Sequence, residues 1–489
     1  MNCSVVVVGA GFGGVSTAIL LARLGLRVTL VEGAQRPGGC LRSYSRQGVD
    51  CPVGVHYLGA AAPGEMLGDF LDLLGIRQEL KLRRLGQGGV IDRYSFDDGD
   101  VFDLPDTAEK LEDSLRARFG DTPEAVAFVM GVCRSAMASL RTDGAGSPAP
   151  PALPVTRLAA DVLTEKALPP RLADILALQG FLLGVNLSAC PASFLMMATA
   201  SFLMSVWELG CTGADLADGL VELARAAGVT LIVGDPVVAV HVSDRKVRGV
   251  QLQSGTAIAA DTVVAGIHPK TVVGMIPAEA LPAAYREGIA RLEETGGTLG
   301  VVALLDDKLH PALGHNVFRV RGAPRQGVKG VYAQLRPSGR PGYNRLTILT
   351  ESDYASWAAW HCTQTGRRGP TYRAEKLRRA QQAMAEVAEA FGPICQPQII
   401  DIWTPLTMRD WVGAPQGNTY GARHSIRDGI EYLVLSRPPI EGLFLVGQSA
   451  LAPGLLGISM GVLHVASAIA GRSAVRNLMA ASRLAGRGP

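Results

Sequence analysis

The chain has 489 residues, more than one compact core accommodates, so two or three structural domains are expected. A net charge of +3, with lysine and arginine nearly balanced by acids, leaves no electrostatic footprint for nucleic acid, and no such partner is expected. The eight cysteines are scattered without a Cys-x-x-Cys pair, which argues against a disulfide framework or a zinc cluster and predicts reduced thiols, a cytoplasmic setting and no metal.

A first strand is predicted over Val5 to Val8, followed by Gly9-Ala10-Gly11-Phe12-Gly13-Gly14, a helical run, and a second strand reaching Glu32. Strand, glycine turn, helix, strand and acid at this spacing form a dinucleotide-binding unit. Gly9 allows the tight turn, Gly11 the close approach of a pyrophosphate to backbone N–H groups, and Gly14 the packing of helix on strand. Phe12 and Gly13 open the helix, whose positive dipole end favours phosphate. The Glu32 carboxylate accepts hydrogen bonds from ribose hydroxyls. With a strand this early, no room for a secretory leader is expected.

Residues 64–76 and 105–140 follow helical periodicity, and Thr142 to Pro154, rich in Gly, Pro, Ser and Ala, reads as a surface loop. Ile175 to Trp207 contains no charged residue. A membrane span and a pair of buried helices lining an apolar cavity are the two readings. Gly180, Gly184, Asn186, Ser188 and Pro191 interrupt the run below the roughly 20 residues a span needs, which favours the buried helices. A helix then starts at Gly213, and strands are predicted over Val229 to Val233, Pro236 to Val242, Val247 to Leu252 and Thr262 to Ala265. Residues 296–352 are strand-rich. A helix over 373–390 places Leu377, Ala380, Met384 and Val387 on one face and ends at Gly392-Pro393. Gly442 to Gln448 reads as a buried strand and turn, Pro453 to Gly457 as a loop, and Ile458 to Ala470 as a helix. In the tail, Arg472, Arg476, Arg483 and Arg487 recur near Val475, Leu478, Met479 and Leu484, so the tail either rests on an anionic membrane or is solvated.

Further strings occur in order along the chain: Arg36-Pro37-Gly38-Gly39, Gly54-Val55-His56-Tyr57-Leu58-Gly59, Thr404-Pro405-Leu406-Thr407 with Gly417-Asn418-Thr419-Tyr420-Gly421, and Leu443 to Gln448 with Pro453-Gly454 and Gly457. With the first glycine turn and Glu32 they resemble the flavin amine oxidase-like superfamily, and within it the phytoene desaturase, carotenoid isomerase and retinol saturase group. The resemblance implies an α/β fold, with a Rossmann-type FAD-binding domain (1–85, 205–290 and 425–489) interleaved with an α+β substrate-binding domain (86–204 and 291–424). It implies FAD held by the first turn, Glu32, Gly33, Arg36, Gly38 and Gly39, by a backbone contact at Val237, and by Gly447, Gln448, Gly457, Ile458 and Ser459 around the last helix. N–H groups near Gly457, Ile458 and Ser459 would face the flavin pyrimidine and stabilise negative charge on the reduced ring. The chain departs from the group at Pro52, at Glu208-Leu209-Gly210-Cys211 and at Ser449, where relatives commonly carry Asp, a Pro-x-Gly-Gly string and an acid.

Flavin exchanges a hydride at N5, so the protein has to hold a C–H or C=C against the ring and exclude water. His56 is either a proton donor or a structural hydrogen-bonding residue, and Tyr57 either a second donor or an aromatic wall. Tyr420 either faces the substrate or packs a turn. Phe181, Leu182, Phe194, Met196, Met197, Phe202 and Met204 on the uncharged helices suit a long apolar ligand. The expected activity is saturation or redox-dependent isomerisation of a double bond in a polyene or isoprenoid-like chain, with peripheral membrane contact allowed by such a substrate and no electron donor assigned. The alternatives are a carotenoid-precursor desaturase, an amine oxidase-like flavoenzyme and a non-catalytic lipid carrier. Gly457-Ile458-Ser459-Met460-Gly461 also matches the nucleophile elbow of hydrolases, but no strand runs into the serine.

Overall fold

The computed structural model describes residues 3–142, 157–423 and 436–486. The loop expected over Thr142 to Pro154 therefore falls, apart from Thr142, outside the described residues, as do Arg487 and the side chains of Leu182 and Leu484.

Four consecutive valines make β1 (Ser4–Val8) apolar on both faces, as suits the middle of a parallel sheet. Helix α1 (Phe12–Arg23) returns the chain to β2 (Arg27–Glu32), which pairs in parallel beside β1. Strand Thr230–Val233 extends the sheet beyond β2, and Thr262–Ala265 and Leu443–Leu445 extend it on the other side of β1. All five strands are parallel, and the order reverses at β1. In such sheets the crevice beyond the carboxyl ends at the reversal point is where ligands bind. Helix Gly213–Ala226 is started by Thr212 and Asp215, each side chain capping the other's backbone N–H.

A second sheet of seven strands runs in the order Gln398–Trp403, Gly297–Asp306, Tyr343–Ser352, Lys329–Pro337, Asn316–Arg321, Val90–Ser95 and Val101–Pro105. Every pair is antiparallel except Asn316–Arg321 with Val90–Ser95. Helix Gly369–Phe391 covers one face with Tyr372, Ala380, Ala383, Met384 and Val387. The helix is found where expected, but Leu377 is 43% exposed. At 3.6 residues per turn it lies about 60° round from Ala380, away from Ala383, beyond the arc the sheet covers.

The uncharged segment begins in the last turn of helix Pro170–Ala177, passes through a short 3-10 helix at Leu178–Leu182 and forms helix Ala192–Met204, in one apolar cluster with Pro123–Leu140. Among the described residues no helix is long and apolar enough to cross a membrane. At the chain end, helix Arg472–Gly486 packs on helices Met66–Leu74 and Gly454–Ala470, burying Val475 and setting Leu478 and Met479 against the core, and the Arg483 Nε lies 2.8 Å from the buried Asp69 carboxylate. As to the two readings of the tail, the apolar side chains described there, Val475, Leu478 and Met479, face the protein.

Gly14 carries the packing of α1 on the sheet, since a Cβ there would collide with the Gly9 carbonyl oxygen. Gly14→Ala is expected to destabilise the fold by about 3 kcal/mol, seen as a lower midpoint in thermal unfolding. Gly131→Ala, in an exposed helical position with open space around it, is expected to stabilise by about 0.5–1 kcal/mol.

Candidate active site

The site is built around the turn between β1 and α1. Gly9 takes φ +90° and donates its N–H to the Val31 carbonyl at 2.7 Å, tying the turn to β2. Helix α1 has no side-chain cap and no acid in its first turn, so its leading N–H groups face the crevice. The Glu32 carboxylate accepts from the Ala10 and Ala34 N–H groups, both at 2.8 Å, and keeps lone pairs on each oxygen for a ligand hydroxyl. Gly38 at φ +123° donates to the Ala10 carbonyl, and a Cβ on Gly39 would come within 3.2 Å of the Gly11 Cα. The two glycine turns are therefore stacked backbone on backbone.

The far end of the chain closes this cradle. A Cβ built on Gly13 would lie 3.2 Å from the Gly447 Cα and 3.1 Å from Ile458. The Gly417–Gly421 string sits on the same turn, where the Ser449 hydroxyl accepts the Ala422 N–H at 3.0 Å. The last long helix starts at Gly454, not at Ile458. Gly454, in the left-handed region at φ +75°, opens it directly after Pro453. The N–H groups that can meet a ligand are therefore those of its first turn, and Ile458 and Ser459 lie one turn further in. Ser459 is buried and donates its hydroxyl to the Leu455 carbonyl at 2.7 Å, so the nucleophile-elbow match has no nucleophile.

A single cavity of about 710 Å³ runs from this cradle into the second sheet. Gly9, Gly11, Phe12, Gly13, Glu32, Gly33, Gly39, Val237, Gly447, Gln448 and Ile458 line it at one end, and His56, Tyr57 and Tyr420 at the other. Positions Gly11, Gly447 and Gly454 have nothing within 4 Å of where a Cβ would stand, so the backbone there is bare to whatever fills the cavity. Seven expected residues do not line it. Gly14, Gly38 and Gly457 pack backbone segments together, Ser459 is buried in its helix, Arg36 is exposed, and Phe194 and Met197 pack in the helical cluster. Except for the exposed Arg36, these positions have one cause in common: an uncharged or glycine-rich stretch also satisfies close packing. The cavity instead takes Phe181, Gly184 and Val185 from the turn between the two apolar helices.

The wall opposite the cradle is aromatic. Tyr332 lies edge-on to His56 and stacked on Tyr57, at centroid distances of 5.8 and 6.1 Å, and Phe318 packs on Tyr332 at 5.0 Å. Both ring nitrogens of His56 are buried without a well-formed hydrogen bond, and burial pulls its pKa down to about 4. At neutral pH the imidazole is uncharged. Burial likewise raises Tyr57 well above the ordinary phenol range and Tyr420 to about 12.

Behind this wall lies a polar cluster that sequence reasoning missed. Asp92 is fully buried, accepting from Asn316 Nδ2 at 2.7 Å, the Tyr94 hydroxyl at 3.0 Å and the Tyr57 hydroxyl at 3.4 Å. The Asn316 amide oxygen accepts from Arg336 at 2.8 Å and Gln334 at 3.0 Å, and Arg336 pairs with Glu208. Glu208, noted only as a departure from the family string, is thus the counter-ion of a buried arginine. Burial raises Asp92 to about 6. Apart from Tyr94 on its own strand, the partners of Asp92 come from two remote segments, so no local signal marked it.

The comparisons agree with this architecture. The family described as NAD(P)-binding Rossmann-like domain matches residues 7–74. The all-trans-retinol 13,14-reductase of Danio rerio is 23% identical over 96% of this chain and 86% of its own. The hydroxyneurosporene desaturase of Rubrivivax gelatinosus is 27% identical over 97% of this chain and 93% of its own. Among solved structures, putrescine oxidase bound to putrescine superposes with a TM-score of 0.64 at 16% identity, covering 98% of this chain and 99% of that one. The fold is therefore shared with putrescine oxidase, and the sequence relatives include a retinol reductase and a hydroxyneurosporene desaturase.

The two buried titrating groups give opposite pH slopes. Asp92 holds its proton to about pH 6 when folded but only to about 4 when unfolded, so its contribution to stability falls as pH rises between those values. His56, at about 4 folded and about 6.5 unfolded, destabilises the fold as pH falls across that window. Asp92→Asn removes the first slope. Relative to wild type, the variant is expected to gain up to about 3 kcal/mol on going from pH 4 to pH 8, measured by urea unfolding at each pH.

Proposed function

We propose that this chain, with its flavin amine oxidase-like fold and its polyene reductase and desaturase relatives, is an FAD-dependent oxidoreductase acting on a conjugated or isoprenoid-like chain. The observation that carries the reading is the single cavity joining the glycine cradle to an aromatic wall. One end offers bare backbone N–H groups and the Glu32 carboxylate, which suit a pyrophosphate and a ribose. The other end offers Phe181, Phe318, Tyr332 and Tyr57, which suit a planar conjugated chain. The cradle fits FAD, with Gly11 to Gly13, Glu32, Gly39 and Gly447 to Gln448 holding it and the first turn of helix Gly454–Ala470 pointing at it. When bound there, the flavin supplies hydride exchange at N5.

The protein's own part is to exclude water and to provide a proton. A neutral His56 has none to give near pH 7, so of the two candidates the hydroxyl of Tyr57 is the donor. Segments 1–85, 205–290 and 425–489 are assigned to the cofactor-binding domain, and 86–204 with 291–424 to the substrate-binding domain. Saturation or redox-dependent isomerisation is the favoured reaction, and desaturation is the second reading because the relatives include desaturases. A substrate of this class resides in lipid, so delivery at a membrane surface is part of the proposal.

Anaerobic photoreduction of the FAD-loaded protein, followed by a panel of polyenes, tests the reading. Reoxidation of the flavin with a product heavier by two hydrogens supports saturation, and an isomerised product of unchanged mass supports isomerisation. Peroxide release with simple amines and no response to any polyene would overturn both. Glu32→Gln is expected to weaken FAD binding about tenfold, measured by titration of the apoprotein, because an amide N–H would confront the Ala10 or Ala34 N–H.

A further inference from the structure

We propose that the carboxyl group of Asp92 is the proton store for the reaction and passes its proton to substrate through the hydroxyl of Tyr57. The inference rests on the saturation reading above. Three features of the cluster point to it. Asp92 is wholly buried, yet among the described residues no cation touches it: Arg336 is held by Glu208, by the Asn316 oxygen and by backbone carbonyls, and makes no contact with Asp92 itself. A buried carboxylate without a paired cation is costly, so the protonated acid is readily populated. Burial accordingly raises its pKa to about 6.

The cluster is also directional. Asn316 is pinned by Arg336 and Gln334 on its oxygen, so its NH2 must face Asp92 Oδ1. That leaves Oδ2 for the two tyrosines. The oxygen of Tyr94 accepts from Gln179 at 3.5 Å and the ring lies behind the wall, whereas Tyr57 lines the cavity. The one route from Asp92 to the cavity among these contacts runs through the Tyr57 hydroxyl. The remaining titratable and charged groups facing Asp92 are Tyr332, stacked on Tyr57, Arg336 behind Asn316, Glu208 beyond it, and the neutral His56 against Tyr332.

The step balances as follows. A two-electron reduced FAD held in the cradle would supply hydride to one carbon of the double bond and, oxidised in doing so, would be reduced again by an external reductant. The Tyr57 O–H bond breaks as a C–H bond forms on the other carbon. The Asp92 O–H bond breaks as the tyrosine O–H is restored. Asp92 is left as a carboxylate and takes its next proton from solvent. Tyr57 is then the catalytic residue, and Asp92 a positioning and relay residue acting through it.

Two readouts on the FAD-loaded protein test this. Infrared difference spectroscopy across pH 4 to 8 is expected to show a protonated carboxyl band that titrates near pH 6, is absent in Asp92→Asn and is shifted in Tyr57→Phe. In single-turnover reoxidation of the photoreduced protein by a polyene, the wild-type rate is expected to fall above about pH 6. Asp92→Asn and Tyr57→Phe are expected to lose roughly a hundredfold at pH 5 and to lose that pH dependence, with Asp92→Glu restoring both. A variant rate and pH profile matching wild type for Asp92→Asn overturns the proposal, as does absence of the band from the wild-type protein. Should Asp92→Asn fail to fold, Tyr57→Phe decides alone: a wild-type profile overturns the proposal, and loss of the pH dependence supports it. If no polyene reoxidises the wild-type flavin while its carboxyl band titrates as expected, the function reading itself has failed and the relay with it.

Discussion

Contacts that only glycine can make hold this molecule's site together. The Gly14 backbone is pressed on the Gly9 carbonyl, Gly266 comes within 3.3 Å of Gly14 where a Cβ would sit, Gly39 approaches Gly11, and Gly13 approaches Gly447. These residues belong to the first turn, the second turn, the end of strand Thr262–Ala265 and the turn after Leu443–Leu445. Any side chain between them would hold the segments apart and split the cavity. Because the contacts are backbone on backbone, the same packing that stabilises the sheet also bares N–H groups to a ligand.

The two ends of the cavity present opposite electrostatics. At the cradle, helix N-termini and unbonded amides favour negative charge. At the aromatic wall, burial disfavours charge altogether: His56 is kept neutral, the tyrosines are kept protonated, and Asp92 is pushed toward its acid form. Arg336 is paired with Glu208 within this wall, and their hydrogen bonds orient Asn316 and Gln334, while burial outweighs the pull of the Arg336 charge on Asp92. One continuous space thereby offers one end suited to an anionic group and another suited to an apolar one.

Errors in the sequence reading cluster where packing and ligand binding require the same residue types. Gly457 and Ser459 looked like ligand contacts because the helix was started four residues late; Pro453 and Gly454 read as loop, whereas Pro453 precedes the helix and Gly454 opens it in a left-handed conformation. Phe194 and Met197 were assigned to substrate because their helix has no charge, but a helix apolar all round buries every face against its neighbours. Glu208 was noticed only as a mismatch, and Asp92 not at all.

The sequence by itself determined the cradle, since turn, helix dipole and acid lie within residues 9 to 32 and each acts through local backbone geometry. It also determined most strands and helices, whose apolar periodicities are local. Tertiary structure alone decided which groups face the cavity. Asp92 meets Tyr57 and Asn316 only because Val90–Ser95 pairs in parallel with Asn316–Arg321, and the His56–Tyr57 loop packs against Val90–Ser95 and Lys329–Pro337. Burial, which sets the charge of Asp92 and His56, is a property of that assembly and of no segment within it.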